Sequence, residues 1–385
     1  MINISDKEKC CGCGACAASC PVKCIEMTRD GQGFFYPAAD AARCTGCGKC
    51  DSVCPVPIWD KKENKPLFPD AFAAYSKNPE NRMQSSSGGL FGEIADMVLS
   101  DGGIVFGAVY DGVSSVRHTA AVSEDGIAPM RGSKYVESDL RGVFGQVLNE
   151  LDNGKEVLFS GTPCQIAGLK AFLGREYERL FCLSFICNSV ASPAVLGEYI
   201  SDIEARKKKR AVAVTFRDKS TGWLNYASAF AVTLEDGEIY REKGGECLFK
   251  TALVNRIITR PICSVCPFRK YERAADITLG DFWGIEKTYP ELCEPTGTSL
   301  AIVSTKKGAA ALSSLSGKIE LHGVELEKAL TENPAFCRQY APHPSRDMFW
   351  TERGKKNTTA VMRDCLSPSF TDRLKRHLMP IIKRK

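Results

Sequence analysis

From Ala71 onward, apolar and polar residues alternate at two different periods. Leu90, Phe91, Ile94, Met97 and Val98 fall at helical spacing across 90–99, and Asp101-Gly102-Gly103 stops that pattern before a short apolar run, Ile104 to Tyr110, that reads as a strand. A second helix is predicted over Leu140 to Leu151, ending at Asn153-Gly154 ahead of a strand at Val157 to Phe159. In the Gly161-Thr-Pro-Cys turn that follows, Thr162 is placed to cap and Pro163 suits the first turn of a helix running through Phe172. Further strands are predicted at Ala211 to Phe216, at Ala229 to Leu234 and, after the turn Glu235-Asp236-Gly237, at Glu238 to Arg241. Residues 1–60 lack this rhythm. The prolines at 55, 57, 66 and 69 and the charged Asp60 to Glu63 read as a connection. The pattern divides the chain into an N-terminal module at 1–60, a linker at 61–70, the two parts of a larger domain at 71–160 and 161–345, and a basic tail at 346–385. The fold class expected is α+β.

Cysteines give the first module its chemistry. Cys10-Cys-Gly-Cys13-Gly-Ala-Cys16-Ala-Ala-Ser-Cys20-Pro21 and Cys44-Thr-Gly-Cys47-Gly-Lys-Cys50-Asp-Ser-Val-Cys54-Pro55 each spell C-x2-C-x2-C-x3-C-P, the bacterial two-cluster ferredoxin pattern. In that pattern the fourth thiolate of each run reaches across to the other cubane. Cys10, Cys13, Cys16 and Cys54 are therefore assigned to one 4Fe-4S cluster, and Cys44, Cys47, Cys50 and Cys20 to the other. Zinc knuckles or disulfides are the competing readings. Zinc sites rarely place four cysteines in one short run before proline, and two copies weigh against coincidence.

Composition is that of ordinary globular protein, with 44% hydrophobic and 25% charged residues in 385. No apolar stretch is long enough to span a bilayer and no signal peptide precedes Cys10, so a cytoplasmic location is expected, with reduced thiols. The formal charge of +5 drops to about −1 if three oxidised clusters of about −2 each are bound, so the basic pI is no argument for nucleic-acid binding. The segment Phe370 to Lys385 mixes apolar and basic residues. It reads as a tail able to touch an anionic membrane surface or a partner, or as a plain frayed end, since Pro380 interrupts any helix.

Four more cysteines stand in suggestive surroundings: Cys164 in Gly-Thr-Pro-Cys, Cys187 in Ile-Cys-Asn, and the pair Cys263 and Cys266 in Cys-Ser-Val-Cys-Pro. They would supply one further cubane. Otherwise the pair is a zinc half-site or redox couple, and Cys164 and Cys187 are buried core thiols. Cys11, Cys24, Cys182, Cys247, Cys293, Cys337 and Cys365 show no ligand spacing. His118 and His322 have no partner at recognisable spacing and read as structural.

Six segments, in order, make the chain resemble the beta-subunit family of coenzyme F420 hydrogenases and dehydrogenases. They are Ser85-Ser-Ser-Gly-Gly-Leu-Phe91, Gly132-Ser-Lys-Tyr-Val136, Ser160-Gly-Thr-Pro-Cys-Gln-Ile-Ala-Gly-Leu169, the run around Cys187, Cys263-Ser-Val-Cys266, and Ala275-Asp-Ile-Thr-Leu-Gly-Asp-Phe-Trp-Gly284. The resemblance implies a mixed α/β flavin-binding domain, FAD as cofactor, and ligation of a third cluster by Cys164, Cys187, Cys263 and Cys266. Asn188-Ser189 departs from the His-Gly that follows this cysteine in relatives. No G-x-G-x-x-G follows a strand, so FAD needs a cradle other than a Rossmann turn. Ser85, Ser86, Ser87, Gly88 and Gly89, ahead of the helix from Leu90, are candidates for phosphate or flavin contact, or are an ordinary cap. Lys134 would pair with phosphate or the reduced flavin, and Gly161, Thr162 and Gln165 would lie between cluster and flavin. Asp281 is a weaker candidate for ribose or flavin.

The function so implied is an FAD- and iron-sulfur-dependent oxidoreductase. It would pass electrons from ferredoxin-type clusters through FAD to coenzyme F420 or another small organic substrate by hydride transfer, with a ferredoxin or dehydrogenase subunit as redox partner. The alternatives are an electron-transfer subunit of a larger hydrogenase or dehydrogenase complex, and a flavin-free structural iron-sulfur protein.

Overall fold

The computed structural model describes residues 2, 4–65, 69–220, 222–224, 229–242 and 245–367; the basic segment 370–385 lies outside the described residues. In chain order the strands are β1 Ile25–Arg29, β2 Phe35–Ala39, β3 Asp70–Ser76, β4 Ile104–Asp111, β5 Ser115–Ala121, β6 Ser138–Asp139, β7 Val157–Gly161, β8 Leu180–Phe185, β9 Ala211–Asp218, β10 Ala229–Leu234, β11 Ile239–Glu242, β12 Ile277–Asp281, β13 Ser299–Val303 and β14 Ile319–Val324.

Nine of them form one mixed sheet in the order β14-β3-β13-β12-β8-β7-β4-β5-β6. Its centre, β12-β8-β7-β4, is wholly parallel, while β13, β3 and β14 run alternately antiparallel on one side and β5 pairs antiparallel with β4 on the other. The centre is parallel because its strands are apolar without alternation: every residue of β7 is buried, as are five of six in β8. Such strands need helices on both faces. Leu90–Ser100, Val143–Asp152 and Pro163–Leu173 are helices, each within a few residues of the span read from the sequence. The α+β expectation is thus refined to a mixed fold with an α/β centre and antiparallel flanks.

A three-stranded antiparallel sheet, β11-β10-β9, stands apart on a core in which Tyr199, Phe216, Phe230 and Phe249 meet with ring centroids 5.3–5.8 Å apart. From the end of β9 it extends two buried cations to the Ser-Gly loop at 85–89. Lys219 Nζ donates to the carbonyls of Arg82, Ser87 and Thr296, and Arg217 donates to the carbonyl of Ser86.

The N-terminal module, with its β1–β2 hairpin, is packed against the large domain. Gly168 of the helix Pro163–Leu173 sits so close to Cys13 that a Cβ there would come within 2.7 Å of Cys13 Cβ. Phe35 N–H donates to Glu137 Oε2 at 2.8 Å. The proline-rich run after Cys54, read from sequence as a spacer, is different in structure. Pro55–Asp60 is a helix started by Pro55, because Val56 and Trp59 share a face and bury it against Ala167, Ile262 and Phe268. Lys270 Nζ donates to the carbonyls of Trp59 and Lys62, and Tyr271 N–H to Asn64 Oδ1.

Candidate metal centres

Both N-terminal runs adopt the same local conformation. Gly12 and Gly14 have φ of 72° and 77°, and Gly46 and Gly48, in the equivalent places, both have 71°. Each pair swings the chain around a centre and starts a short helix at Ala15–Ser19 or Lys49–Ser52. A side chain at these positions is strained, which explains why glycine separates the ligands.

Cys44, Cys47 and Cys50 line one open void together with Cys20, the last cysteine of the other run. Reciprocally, Cys54 stands within electrostatic reach of Cys10 and Cys16: burial first, and then repulsion by Cys10, with a weaker one by Cys54, push the Cys16 thiol up to about 12. Burial also raises Cys54, with Cys10 again among the repelling groups. Each run's last cysteine thus stands among the residues of the other run. Cys24 is an addition that spacing did not reveal. It lines the void, and its N–H donates to Cys20 Sγ at 3.3 Å.

Cys164, Cys187, Cys263 and Cys266, more than a hundred residues apart at the extremes, line one second void. Cys164 is on the first turn of the helix Pro163–Leu173, held by a capping box in which the Thr162 N–H donates to Gln165 Oε1 at 2.9 Å. Thr162 Oγ1 lies 3.2 Å from Cys164 Sγ. Cys187 follows β8, and Cys263 belongs to a 3-10 turn, Pro261–Ser264, that leads to Cys266. Burial, and then mutual repulsion, raise Cys187 and push Cys266 up to about 12. Four thiolates gathered here need a cationic framework before deprotonation becomes favourable. Among the described residues no three His, Cys, Asp or Glu side chains are gathered tightly enough for a single ion; four thiols around one void are the donor set of a cubane.

The wall of that void contains residues that sequence spacing missed. Cys11, next to the first-run ligand candidate Cys10, faces it, as do Arg260, Arg269 and Arg273. Ser189 also faces it, buried, with its hydroxyl lacking a partner among the described residues. Asn188 is taken up by arginines: its carbonyl accepts from Arg269 and its Oδ1 from Arg256. The one available signal was adjacency, since Cys11 follows Cys10 and Arg260 precedes Cys263 by three residues.

The residues read as flavin contacts are brought together in part. Ser86 Oγ lies 2.8 Å from Ser133 Oγ, joining the Ser-Gly loop to the Gly132-Ser133-Lys134 segment. Most of their polar groups are engaged within the protein. Ser87 Oγ donates to the Thr298 carbonyl, the Gly88 N–H donates to Ser299 Oγ, and Gly89 caps the helix that follows. Lys134 directs all three donors to the carbonyls of Met130, Arg131 and Gly132, and burial lowers its ammonium to about 7. Ser85 Oγ is buried without a partner among the described residues. Of Gly161, Thr162 and Gln165, only Thr162 lines the second void. Asp281 is held by a bidentate pair with Arg217 and by Trp223 Nε1. His118 is a core residue: its Nε2–H donates to the Ser160 carbonyl, Nδ1 accepts from Ser138, and the ring stacks on Phe159.

Residues 154–328 match the model for the C terminus of the coenzyme F420 hydrogenase/dehydrogenase beta subunit. Residues 9–58 match a 4Fe-4S dicluster domain. The chain thus carries, behind a segment matching a 4Fe-4S dicluster domain, a segment similar to the C-terminal domain of the coenzyme F420 hydrogenase/dehydrogenase beta subunit. The latter segment begins just before β7 and ends after β14, so it spans Cys164, Cys187, Cys263 and Cys266. A chain in the xenon-derivatised F420-reducing [NiFe] hydrogenase complex from Methanosarcina barkeri is similar at 19% identity and a TM-score of 0.49, over 71% of this chain and 90% of that one. No curated protein matches. Among the described residues no helix is long and apolar enough to cross a membrane.

Proposed function

We propose that the chain is an iron-sulfur electron-transfer subunit of a hydrogenase- or dehydrogenase-type oxidoreductase complex, with three 4Fe-4S sites in series. The observation that carries this reading is that the first cysteine run reaches two sites, the Cys11 thiol lying beside both Cys13 and Cys164. Cys10 belongs with Cys16 and Cys54, and Cys11 forms part of the wall around Cys164, Cys187, Cys263 and Cys266. The remaining site, Cys20 with Cys44, Cys47 and Cys50, lies toward the surface, where Cys47 is exposed. The order is thus surface site, middle site, buried site. When bound, the clusters supply one-electron redox chemistry. The protein holds the ligands at fixed separation, turns backbone amides toward them through the paired glycines, and excludes water from the innermost void with Ile262, Phe268 and Ala335. The exposed rim around Cys47 and Lys49 is where a redox partner protein would dock.

FAD is a second, finer reading. It is favoured by the placement of the Ser-Gly loop, the Cys187 segment and the Asp281-Phe-Trp segment, all of which follow the carboxyl ends of strands that point the same way, where open sheets bind ligands. The loop after β3 and the segment after β8 are separated by three strand spacings, roughly 14 Å. In that reading Ser85 and Thr162 are the residues left to contact the flavin, and coenzyme F420 or another small organic molecule is its hydride partner.

One experiment separates these readings. Oxygen-free protein is titrated with a one-electron donor while its absorbance is followed. Uptake of about three electrons per chain supports a purely iron-sulfur subunit, and about five with a flavin spectrum supports the FAD reading. Protein that takes up no electrons refutes both.

A further inference from the structure

Arg260 is 1% exposed and belongs to two sites at once. On one side its Nε–H donates to the Cys10 carbonyl at 2.8 Å, and Nη2 reaches Cys10 Sγ at 3.6 Å. On the other it lines the void of Cys164, Cys187, Cys263 and Cys266. Its orientation is fixed by a buried ion pair from Nη1 to Glu137 Oε1, by a bond from Nη2 to the Phe35 carbonyl at 2.9 Å, and by the Tyr36 ring 4.2 Å from the guanidinium carbon. Glu137 in turn accepts from the Phe35 N–H. The fit is tight: a Cβ on Gly12 would come within 2.8 Å of either partner's charged end. Arg269 and Arg273 also line the second void, but their hydrogen bonds go to carbonyls of the large domain, at Asn188, Arg338, Phe268 and Phe336. Among the described residues, the surface void has Lys49 and no arginine in its wall.

We infer that Arg260, held by Glu137, is a positioning residue shared by the middle and buried iron-sulfur sites, setting the reduction potentials of both together while leaving the surface site untouched. The inference rests on the three-site reading above. A fixed cation beside a cluster favours the more negative, reduced form, and a hydrogen bond to a ligating sulfur acts in the same direction. Because the guanidinium cannot lose its proton, its effect is constant with pH. Glu137 screens that charge. Removing each partner must therefore move the potentials in opposite directions, which loss of packing alone would not do.

The test is a redox titration of the whole oxygen-free protein, followed by electron paramagnetic resonance, in wild type, Arg260→Gln and Glu137→Gln. The buried-site signal is identified by its loss in Cys187→Ala, and the surface-site signal by its loss in Cys47→Ala. Arg260→Gln is expected to shift two of three midpoints to more negative values, Glu137→Gln to shift the same two to less negative values, and both to leave the surface site where it was. Equal shifts at all three sites, shifts of the same sign in both variants, or no shift overturn the inference. If Arg260→Gln fails to fold, the direction and site selectivity of Glu137→Gln decide alone. Wild-type protein without three cluster signals would refute the three-site reading itself, a distinct outcome.

Discussion

At the scale of single residues, the paired glycines and spare thiols make the sharpest statements. Cys24 contacts the ligand candidate Cys20 without occupying a ligand position in the pattern. Cys24→Ala is therefore expected to keep the full iron content, and Cys20→Ala to lose about four irons per chain, as measured by iron analysis of anaerobically isolated protein. His118 gives a pH prediction. Burial lowers it to about 4, with Lys134 acting in the same direction and the Ser160 carbonyl and Asp139 opposing. Its unfolded value is about 6.5. Between these values the unfolded chain binds the proton and the folded chain does not, so His118 costs stability as pH falls. From pH 7 to pH 5 the cost is about 2 kcal/mol. Denaturant midpoints of wild type and His118→Gln at the two pH values check this: the wild type should lose more, by that margin, while acid effects on the clusters are common to both. At this scale spacing pointed to ligand candidates only where it encodes a pattern, as in the two N-terminal runs, which lie within the 4Fe-4S dicluster match. Arg260, Ser189 and Cys11 were not legible, because only the folded chain places them in the wall of the second void.

Elements join the sites to the fold. The helix Pro163–Leu173 does two jobs: its first turn presents Cys164, and its middle, at Gly168, receives Cys13. The sequence showed the first through Thr162 and Pro163, both local signals. The second was hidden, since nothing near Gly168 announces a contact with residue 13. Gly168→Val is expected to push the first cysteine run away from the helix and to lower iron content at the middle site before the surface site. Gln165→Ala removes the capping bond to the Thr162 N–H and should cost about 1 kcal/mol of stability; a thermal or denaturant melt at neutral pH reads this directly. The prolines at 55 and 57 mask a single helical turn and a half, Pro55–Asp60, whose apolar face, Val56 and Trp59, has a partner only in the folded protein. Lys134 was read toward phosphate on a local motif, yet its three carbonyl partners belong to its own turn.

Taken entire, the chain docks its two-cluster module onto a mixed sheet, and the proposed line of three sites follows from that docking. Hydrophobic periodicity marked β4, β7, β9, β10 and β11 and the helices at 90–100, 143–152 and 163–173, but not β3, β5, β6, β8, β12, β13 or β14, which complete the large sheet. The relation between the parts left no such mark, because it depends on Arg260, Glu137, Lys270 and Gly168, residues scattered over more than a hundred positions. Docking of this kind predicts that a protease site inserted after Glu63, in the exposed stretch beyond the helix Pro55–Asp60, can be cut without separating the fragments. They should co-elute on size-exclusion chromatography, and separate elution would contradict the docked arrangement. The most direct test of the three proposed sites is the iron and acid-labile sulfide content of oxygen-free protein, in wild type and in Cys187→Ala. The three-site account predicts about twelve irons per chain in the wild type and about eight in the variant, with one paramagnetic species lost; eight in both, or zinc in place of iron at Cys164, Cys187, Cys263 and Cys266, would contradict it.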